Sequence, residues 1–541
     1  MFARFSVILF IAVLFFACNS ATQQSFDNRF VKVEGQKFVD SEGRQIVFSG
    51  INFISKNPDE NYMPVQGKET IEQFKQWGFN CIRLGIIWDG LEPEPGEYNE
   101  EYLEEIDKRI QWAADNDIYV FLDMHQDLYG AKYSDGAPDW ATLDEEQMHY
   151  RGAVWSDSYL ISPAVQTAFD NFWTNTPASD GIGIQDHYAN LWKHIANRYA
   201  ENNTVIGFDI MNEPFMGSSA QAVMPLMLGA YAMVYAEETG MMPPSEEELG
   251  AMWADEASRL KALEFIATKE RYSRVVDAVY ELSADFEKNQ LQPMYQKVAD
   301  AIRSVNMHHI LFFNHNYFVN TGVSTALEAT TLPDGSRDPN VVYAAHGYDL
   351  VVDTKEVENP SYERVEFIFE RIAESGRRMN MPVLVGEWGA LHGKSQKMIE
   401  TARHLVNLFE DYNFSNTYWA YYGDIADYPY FQDAIIRPYP QYISGNLIAY
   451  DYNFESGEFT CHWEESEENE ENKAPTVIYV HNLKDLSPDD IVMSPPAEQI
   501  VFDYCDSGPG GKILISPVGE SLSRSLSFSL QAKTEKEISI E

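Results

Sequence analysis

Two apolar runs in this 541-residue chain close on glutamate. One, over 205–214, reads Val-Ile-Gly-Phe-Asp-Ile-Met-Asn-Glu-Pro and carries Glu213; the other, over 382–389, reads Pro-Val-Leu-Val-Gly-Glu-Trp-Gly and carries Glu387. A continuous hydrophobic run suits a strand buried on both faces of a parallel sheet. A carboxylate at the C-terminal tip of such a strand faces the mouth of the fold, where barrel active sites are built. Six further runs, at 45–51, 80–87, 118–124, 309–314, 341–346 and 415–421, bring the total to eight. Helical periodicity fills intervals at 69–77, 101–116, 187–201, 291–305, 362–379 and 395–411. That alternation predicts an α/β fold, a (β/α)8 TIM barrel spanning 29–445. An open, doubly wound sheet is the competitor, but no glycine-rich phosphate loop follows the first strand.

The spacing between strands is uneven, which places large insertions after the third and fourth strands, at about 127–186 and 215–290, on the active-site face. Aromatics crowd the first (Tyr129, Tyr133, Trp140, Tyr150, Trp155, Phe169, Phe172, Trp173) and suit either the walls of a sugar cleft or a small core of the loop's own. The second holds a Met-rich stripe over 224–235, a pattern that more often packs against a scaffold than touches ligand, and a charged helical stretch at 254–283. Past residue 445 the pattern turns to brief alternating strands at 476–480, 491–493, 500–504, 512–516 and 526–531, with an acidic loop at 464–472, which predicts a β-sandwich over 446–541.

The N-terminus sets Arg4 before an apolar run at 5–17 that is too short to span a bilayer and suits a signal peptide over 1–17. Its end, Leu14-Phe15-Phe16-Ala17-Cys18, resembles a bacterial lipobox with Cys18 as the lipidated mature N-terminus, although Phe15 departs from the usual aliphatic residue. Residues 18–28 then read as a polar tether. These features predict an exported monomer, lipid-anchored at the cell surface, with simple cleavage and secretion as the alternative. The formal charge of −45 excludes nucleic acid as a partner, because phosphate binding needs basic patches. No clustered Cys/His spacing implies a metal, and no cofactor is expected. Cys81 reads as an inert core thiol, whereas Cys461 and Cys505 could pair in an oxidising compartment.

Glycoside hydrolysis with retention needs one carboxylic acid to protonate the leaving oxygen and one carboxylate to attack the anomeric carbon, about 5–5.5 Å apart. At that spacing and an effective dielectric near 20, two ionised carboxylates repel by roughly 3 kcal/mol, enough to raise one pKa by about two units. Asn212-Glu213-Pro214 together with Gly386-Glu387-Trp388-Gly389 resembles glycoside hydrolase family 5, a family of retaining (β/α)8 barrels. The resemblance extends to Arg83, His125, His346, Tyr348 and Trp419. It implies Glu213 as acid/base, Glu387 as nucleophile, and Arg83 and Tyr348 as the donors that keep Glu387 ionised and aimed. It further implies Asn212 on the substrate 2-hydroxyl, His125 and His346 on sugar hydroxyls or the acid, and Trp419 as a stacking floor.

A finer likeness is to the endoglycoceramidases of that family, carried by Gly50-Ile51-Asn52-Phe53-Ile54-Ser55-Lys56, Trp88-Asp89-Gly90-Leu91-Glu92-Pro93, Asp123-Met124-His125-Gln126-Asp127 and Gln292-Pro293-Met294-Tyr295-Gln296. It implies a glycosphingolipid substrate met at a membrane surface, Asp127 and Lys56 on the glucosyl hydroxyls, and a second insertion that helps cradle ceramide. Within enzymes, a β-1,4-glucanase or a glycosidase of simple glucosyl or galactosyl lipids competes; outside them, a silent glycan-binding lipoprotein does.

Overall fold

The computed structural model describes residues 29–530 apart from 153, 466–473, 507 and 519; the leader, Cys18, the tether up to residue 28 and most of the acidic loop lie outside the described residues. Eight parallel strands close into a barrel, here numbered along the chain: β1 Ser49–Phe53, β2 Cys81–Ile87, β3 Tyr119–His125, β4 Val205–Asp209, β5 Ile310–Phe313, β6 Val341–Gly347, β7 Val383–Trp388 and β8 Ser415–Tyr418. Each pairs with the next, and β8 returns to β1 through Asn416 opposite Ser49. Helices cover the outside where capping and amphipathic spacing coincide. In Glu100–Ala114, for example, the Asn99 side chain accepts from the Tyr102 N–H, while Leu103, Ile106 and Ile110 turn to the barrel.

The barrel floor is apolar. Cys81, Phe121, Phe312, Ala344 and Leu384 meet there and are closed from below by Val31, Phe38 and Ile46. Phe121 stacks on Phe312 at 4.7 Å. The strand predicted at 45–51 is therefore two strands. Gln45–Ile46 pairs with Tyr439–Ile443 in an outer sheet, and the chain enters the barrel only at Ser49.

Among the described residues that outer sheet has seven strands and joins residues 32–46 to residues 439–515, in the order Lys32–Glu34, Lys37–Val39, Gln45–Ile46, Tyr439–Ile443, Thr476–Val480, Gly511–Ile515, Ile500–Tyr504. Residues 32–46, assigned above to the barrel, thus belong to the sheet layer beneath it. A four-stranded antiparallel sheet packs with it, led by the pair Asn446–Tyr452 and Glu458–Glu465, which the sequence pattern did not reveal. Phe459, Trp463, Ile478, Ile513 and Phe528 form the core between them. Cys461 and Cys505 are both free thiols, which removes the disulfide considered above.

The sandwich is bolted to the barrel. Glu410 accepts from Arg437 Nε at 2.5 Å and from the Tyr452 N–H at 2.9 Å. Tyr479 donates to the Gln76 carbonyl at 2.7 Å, and its ring lies where a Cβ on Gly78 would be 2.3 Å away, so only glycine fits this contact.

Both insertions are helical. The first folds on itself: Tyr129, Phe169, Phe172 and Trp173 are buried, whereas Trp155 stays 44% exposed. The second begins with a 3-10 turn, Gly217–Ala222, and the helix Val223–Thr239, then continues through Glu246–Ala254, Glu256–Phe265 and Lys269–Val276.

Candidate active site

The site is assembled around one guanidinium. Arg83, fully buried on β2, donates to Glu387 Oε1 at 2.6 Å, Asn52 Oδ1 at 3.0 Å, Asn212 Oδ1 at 2.9 Å and Asp209 Oδ2 at 2.9 Å, and lies 2.8 Å from Asp123 Oδ1. A fixed cation shared by three carboxylates offsets their desolvation, and its planar fork sets the spacing of the strand tips.

Glu387 reaches this cation through a bulge. The ladder between β7 and β6 slips between Val385 and Glu387, which re-aims the glutamate into the barrel. Gly386 sits at the slip, where a Cβ would lie 3.2 Å from His346 Nε2 and 3.6 Å from Arg83 Nε. The second oxygen of Glu387 accepts from the Tyr348 hydroxyl at 3.2 Å.

Glu213 follows β4 with φ at 41°, a left-handed conformation that a residue before proline avoids unless held. Gln126 supplies the hold, its Nε2 donating to the carbonyls of Asn212 at 2.8 Å and Glu213 at 3.2 Å. Asn314 Oδ1 accepts from the Glu213 N–H at 3.2 Å. Oε1 of Glu213 then accepts from Asn320 Nδ2 at 2.6 Å and faces His346 Nδ1 at 2.9 Å. Burial first, and the neighbouring Asp127 second, push the Glu213 carboxyl up to about 7. Burial also lowers His346 to about 4, so it is neutral here and uses its Nδ1–H toward Glu213. Oxygens of Glu213 and Glu387 lie within 4.8 Å of each other, with His346 against both. This matches the close pairing of a double displacement rather than the about 6.5–9.5 Å that admits a water between inverting carboxyls.

A second polar group lies beside the pair. Lys56 forms an ion pair with Asp127 and stands 4.7 Å from the centroid of Trp419. His125 stacks on the same indole at 5.2 Å and bonds Asp123 through Nδ1 at 2.8 Å. Burial and Lys56 depress His125, but Asp123 and Asp127 outweigh them and raise it to about 10. Its Nε2 is buried 3.8 Å from Asp127 Oδ2, and the residue lines the cavity wall. Burial opposes ionisation of Asp127, yet Lys56 and His125 bring it down to about 2.

Eight of the ten residues singled out in the sequence (Lys56, His125, Asp127, Asn212, Glu213, Tyr348, Glu387 and Trp419) line one cavity of about 540 Å³; Arg83 and His346 stand directly behind it, fully buried. The same cavity continues along an apolar wall of Val223, Met224, Met227, Leu228, Leu260 and Ile266. Met224, Met227, Leu228 and Tyr231 of the Met-rich stripe therefore line the cavity, while Met227 and Leu228 also pack against the core, so the expectation that the stripe would pack on the scaffold holds only in part. Trp155 is the aromatic of the first insertion that reaches this wall together with Trp253 of the second.

Two clusters present three metal-type ligand atoms each, His125 with Asp127 and Asp135, and Glu213 with His346 and Glu387. In both, the positive partner is already a side chain, Lys56 in the first and Arg83 in the second. Sequence reasoning passed over Asn52, Asp209, Asn314, His315 and Asn320. The signal for two of them was present: Asn314-His315-Asn316 is a polar triplet at the end of an apolar run, as informative as the two glutamate tips.

The sequence model of the cellulase family, glycosyl hydrolase family 5, matches residues 39–424, and that of the family 5 C-terminal domain matches residues 437–494. An endoglycoceramidase of Cyanea nozakii is 25% identical over 475 residues, 78% of each chain. Endoglycoceramidase I of Rhodococcus hoagii (strain 103S) is 22% identical over 498 residues, 90% of this chain and 85% of that one. Endo-glycoceramidase II from Rhodococcus sp., solved as a ganglioside GM3 complex, shares the fold with a TM-score of 0.67 at 21% identity, over 92% of this chain and all of that one. The chain belongs to glycosyl hydrolase family 5 and is a glycoside hydrolase.

Proposed function

We propose, from the premise of family 5 membership, that this enzyme cleaves the β-glycosidic bond between oligosaccharide and ceramide in glycosphingolipids, releasing intact glycan and ceramide. The observation that carries the reading is the two-part cavity, with a carboxylate pair at the polar end and an apolar wall running on from it. Such a cavity suits a substrate that is sugar on one side of the scissile bond and hydrocarbon on the other. The solved ganglioside complex of a relative with the same fold supports that substrate class.

Glu387 attacks the anomeric carbon while Glu213 gives its proton to the departing ceramide oxygen, leaving a glycosyl ester on Glu387. Glu213, now a carboxylate, takes a proton from water as the water oxygen attacks the same carbon and the ester bond breaks, with net retention. Asn212 serves the 2-hydroxyl, and His125, Asp127 and Lys56 serve the remaining glucosyl hydroxyls. Trp419, braced by His125, is the floor. Arg83, Tyr348 and His346 aim the two carboxyls.

Export and a lipid on Cys18 bring this monomeric enzyme to a membrane surface. There the outward face of the helix Val223–Thr239, with Leu226 40% and Met233 55% exposed, meets the lipid from which substrate is drawn. The test is incubation with lactosylceramide or a ganglioside in detergent, with glucosylceramide, and with cellotetraose, products read by mass spectrometry. Intact oligosaccharide plus ceramide is the expected result. Hydrolysis of glucosylceramide alone would make it a simple glycolipid glycosidase, and cellobiose alone a glucanase.

A further inference from the structure

The loop that follows β5 runs a chain of hydrogen bonds from the barrel core to Glu213. Asn320, 5% exposed, donates its Nδ2–H to Glu213 Oε1 at 2.6 Å, and its Oδ1 faces His315 Nε2 at 2.8 Å. His315 Nδ1 in turn faces the Tyr343 hydroxyl at 2.5 Å. Burial pushes His315 down to about 3, so it is a neutral imidazole with one N–H. Asn320 Oδ1, at 2.8 Å, is the closer partner of Nε2 and can only accept, which puts that proton on Nε2, with the His346 N–H at the edge of contact at 3.4 Å, and leaves Nδ1 to accept from Tyr343. The amide of Asn320 is thereby fixed with its N–H toward Glu213.

The loop itself is anchored at both ends by one buried carboxylate. Glu287 accepts from Asn316 N at 3.1 Å, Asn316 Nδ2 at 2.8 Å and Thr325 Oγ1 at 2.8 Å, and from the Ala326 N–H. Oε1 of Glu213 is thus occupied by Asn320 and His346, and Oε2 remains to carry the acid proton.

We propose that Asn320, held by His315 and Tyr343, is a positioning residue that fixes Oε1 of Glu213 so that Oε2 alone delivers and recovers the proton. The proposal rests on Glu213 being the acid/base. Glu213 is also faced by His125 and Asp127 from β3, Lys56 after β1, His346 and Tyr348 at β6, Glu387 on β7, Tyr317 after β5 and Tyr159 from the first insertion. All of these side chains are retained in the Asn320 variants. An N–H donor favours the carboxylate, so its removal raises the acid's pKa.

The test compares Asn320→Ala, the isosteric Asn320→Asp and His315→Phe with the unaltered enzyme and Glu213→Ala. The readout is kcat/KM against pH on phenyl and 2,4-dinitrophenyl β-lactosides, with melting temperature as the folding control. Loss of aimed acid catalysis lowers phenyl lactoside cleavage by about 10- to 100-fold, part of the range general acids supply, and the dinitrophenyl substrate, which needs no acid, by less than about threefold. The alkaline limb moves up in Asn320→Ala and further in Asn320→Asp. Equal losses on both substrates with an unmoved limb would overturn the proposal, leaving Asn320 a purely structural residue. A Glu213→Ala enzyme with no leaving-group dependence would instead overturn the acid assignment, and with it this one.

Discussion

The floor and the mouth of the barrel are made by the same strands and obey different physics. β3 passes from Phe121, stacked on Phe312 in the floor, to Asp123 and His125 in the mouth within about 7 Å per two residues. The floor is an apolar cluster, so each side chain in it answers to volume. The mouth buries Arg83, Asp123, Asp209, Glu213 and Glu387 together, and each answers to a partner. Buried ion pairs rarely stabilise more than apolar groups of equal size. Their concentration at one end therefore marks where the fold gives up stability for chemistry.

The sharpest way to break that contrast is Glu387→Ala. Turnover is expected to fall by several orders of magnitude with the thermal midpoint held, and azide to restore turnover with inverted product; an active variant would sink the assignment. Next is Phe312→Ala in the floor, expected to cost about 3–5 kcal/mol in a denaturant melt while kcat per folded molecule stays the same. A parallel drop in kcat would mean that floor and mouth are coupled.

A smaller effect sharpens the electrostatics. With Glu213 raised to about 7, cleavage of poor leaving groups declines as pH rises through neutrality and the acid loses its proton. Asp127→Asn removes a negative charge that opposes this ionisation, so the limb moves to lower pH, by under about one unit. An upward move would refute the sign. Smallest is Met233→Asp on the exposed helix, expected to reduce action on glycolipid in vesicles a few-fold and to spare a soluble aryl glycoside.

The mouth was more legible in the sequence than the floor or the walls. Strand tips announce themselves, because a polar residue ending an apolar run has one place to point, and Glu213, Glu387 and His346 were found that way or through the motifs around them. Gln45–Ile46 was read into β1, since its true partner, Tyr439–Ile443, lies at the far end of the chain and no local pattern reports it. The Met stripe was read only in part, because periodicity shows that a helix has an apolar side but not all that the side faces, here both core and cavity. Asn320 left no signal: it sits in an aperiodic loop, and its meaning comes from His315 and Glu213, which only the folded barrel brings to it.

The sheet that joins residues 32–46 to residues 439–515 also sets an order of events in biosynthesis. Gln45–Ile46 must wait for Tyr439–Ile443, about 400 residues later, which takes roughly 20–80 s at ribosomal speeds of about 5–20 residues per second. β1 waits almost as long for β8, its partner through Asn416 and Ser49. Until then the barrel is an open sheet with two raw edges, and the floor lacks its final closure. Both pairings are contacts of very high sequence separation, the kind that form slowly. A nascent chain of this kind cannot close its barrel until Ser415–Tyr418 has been made.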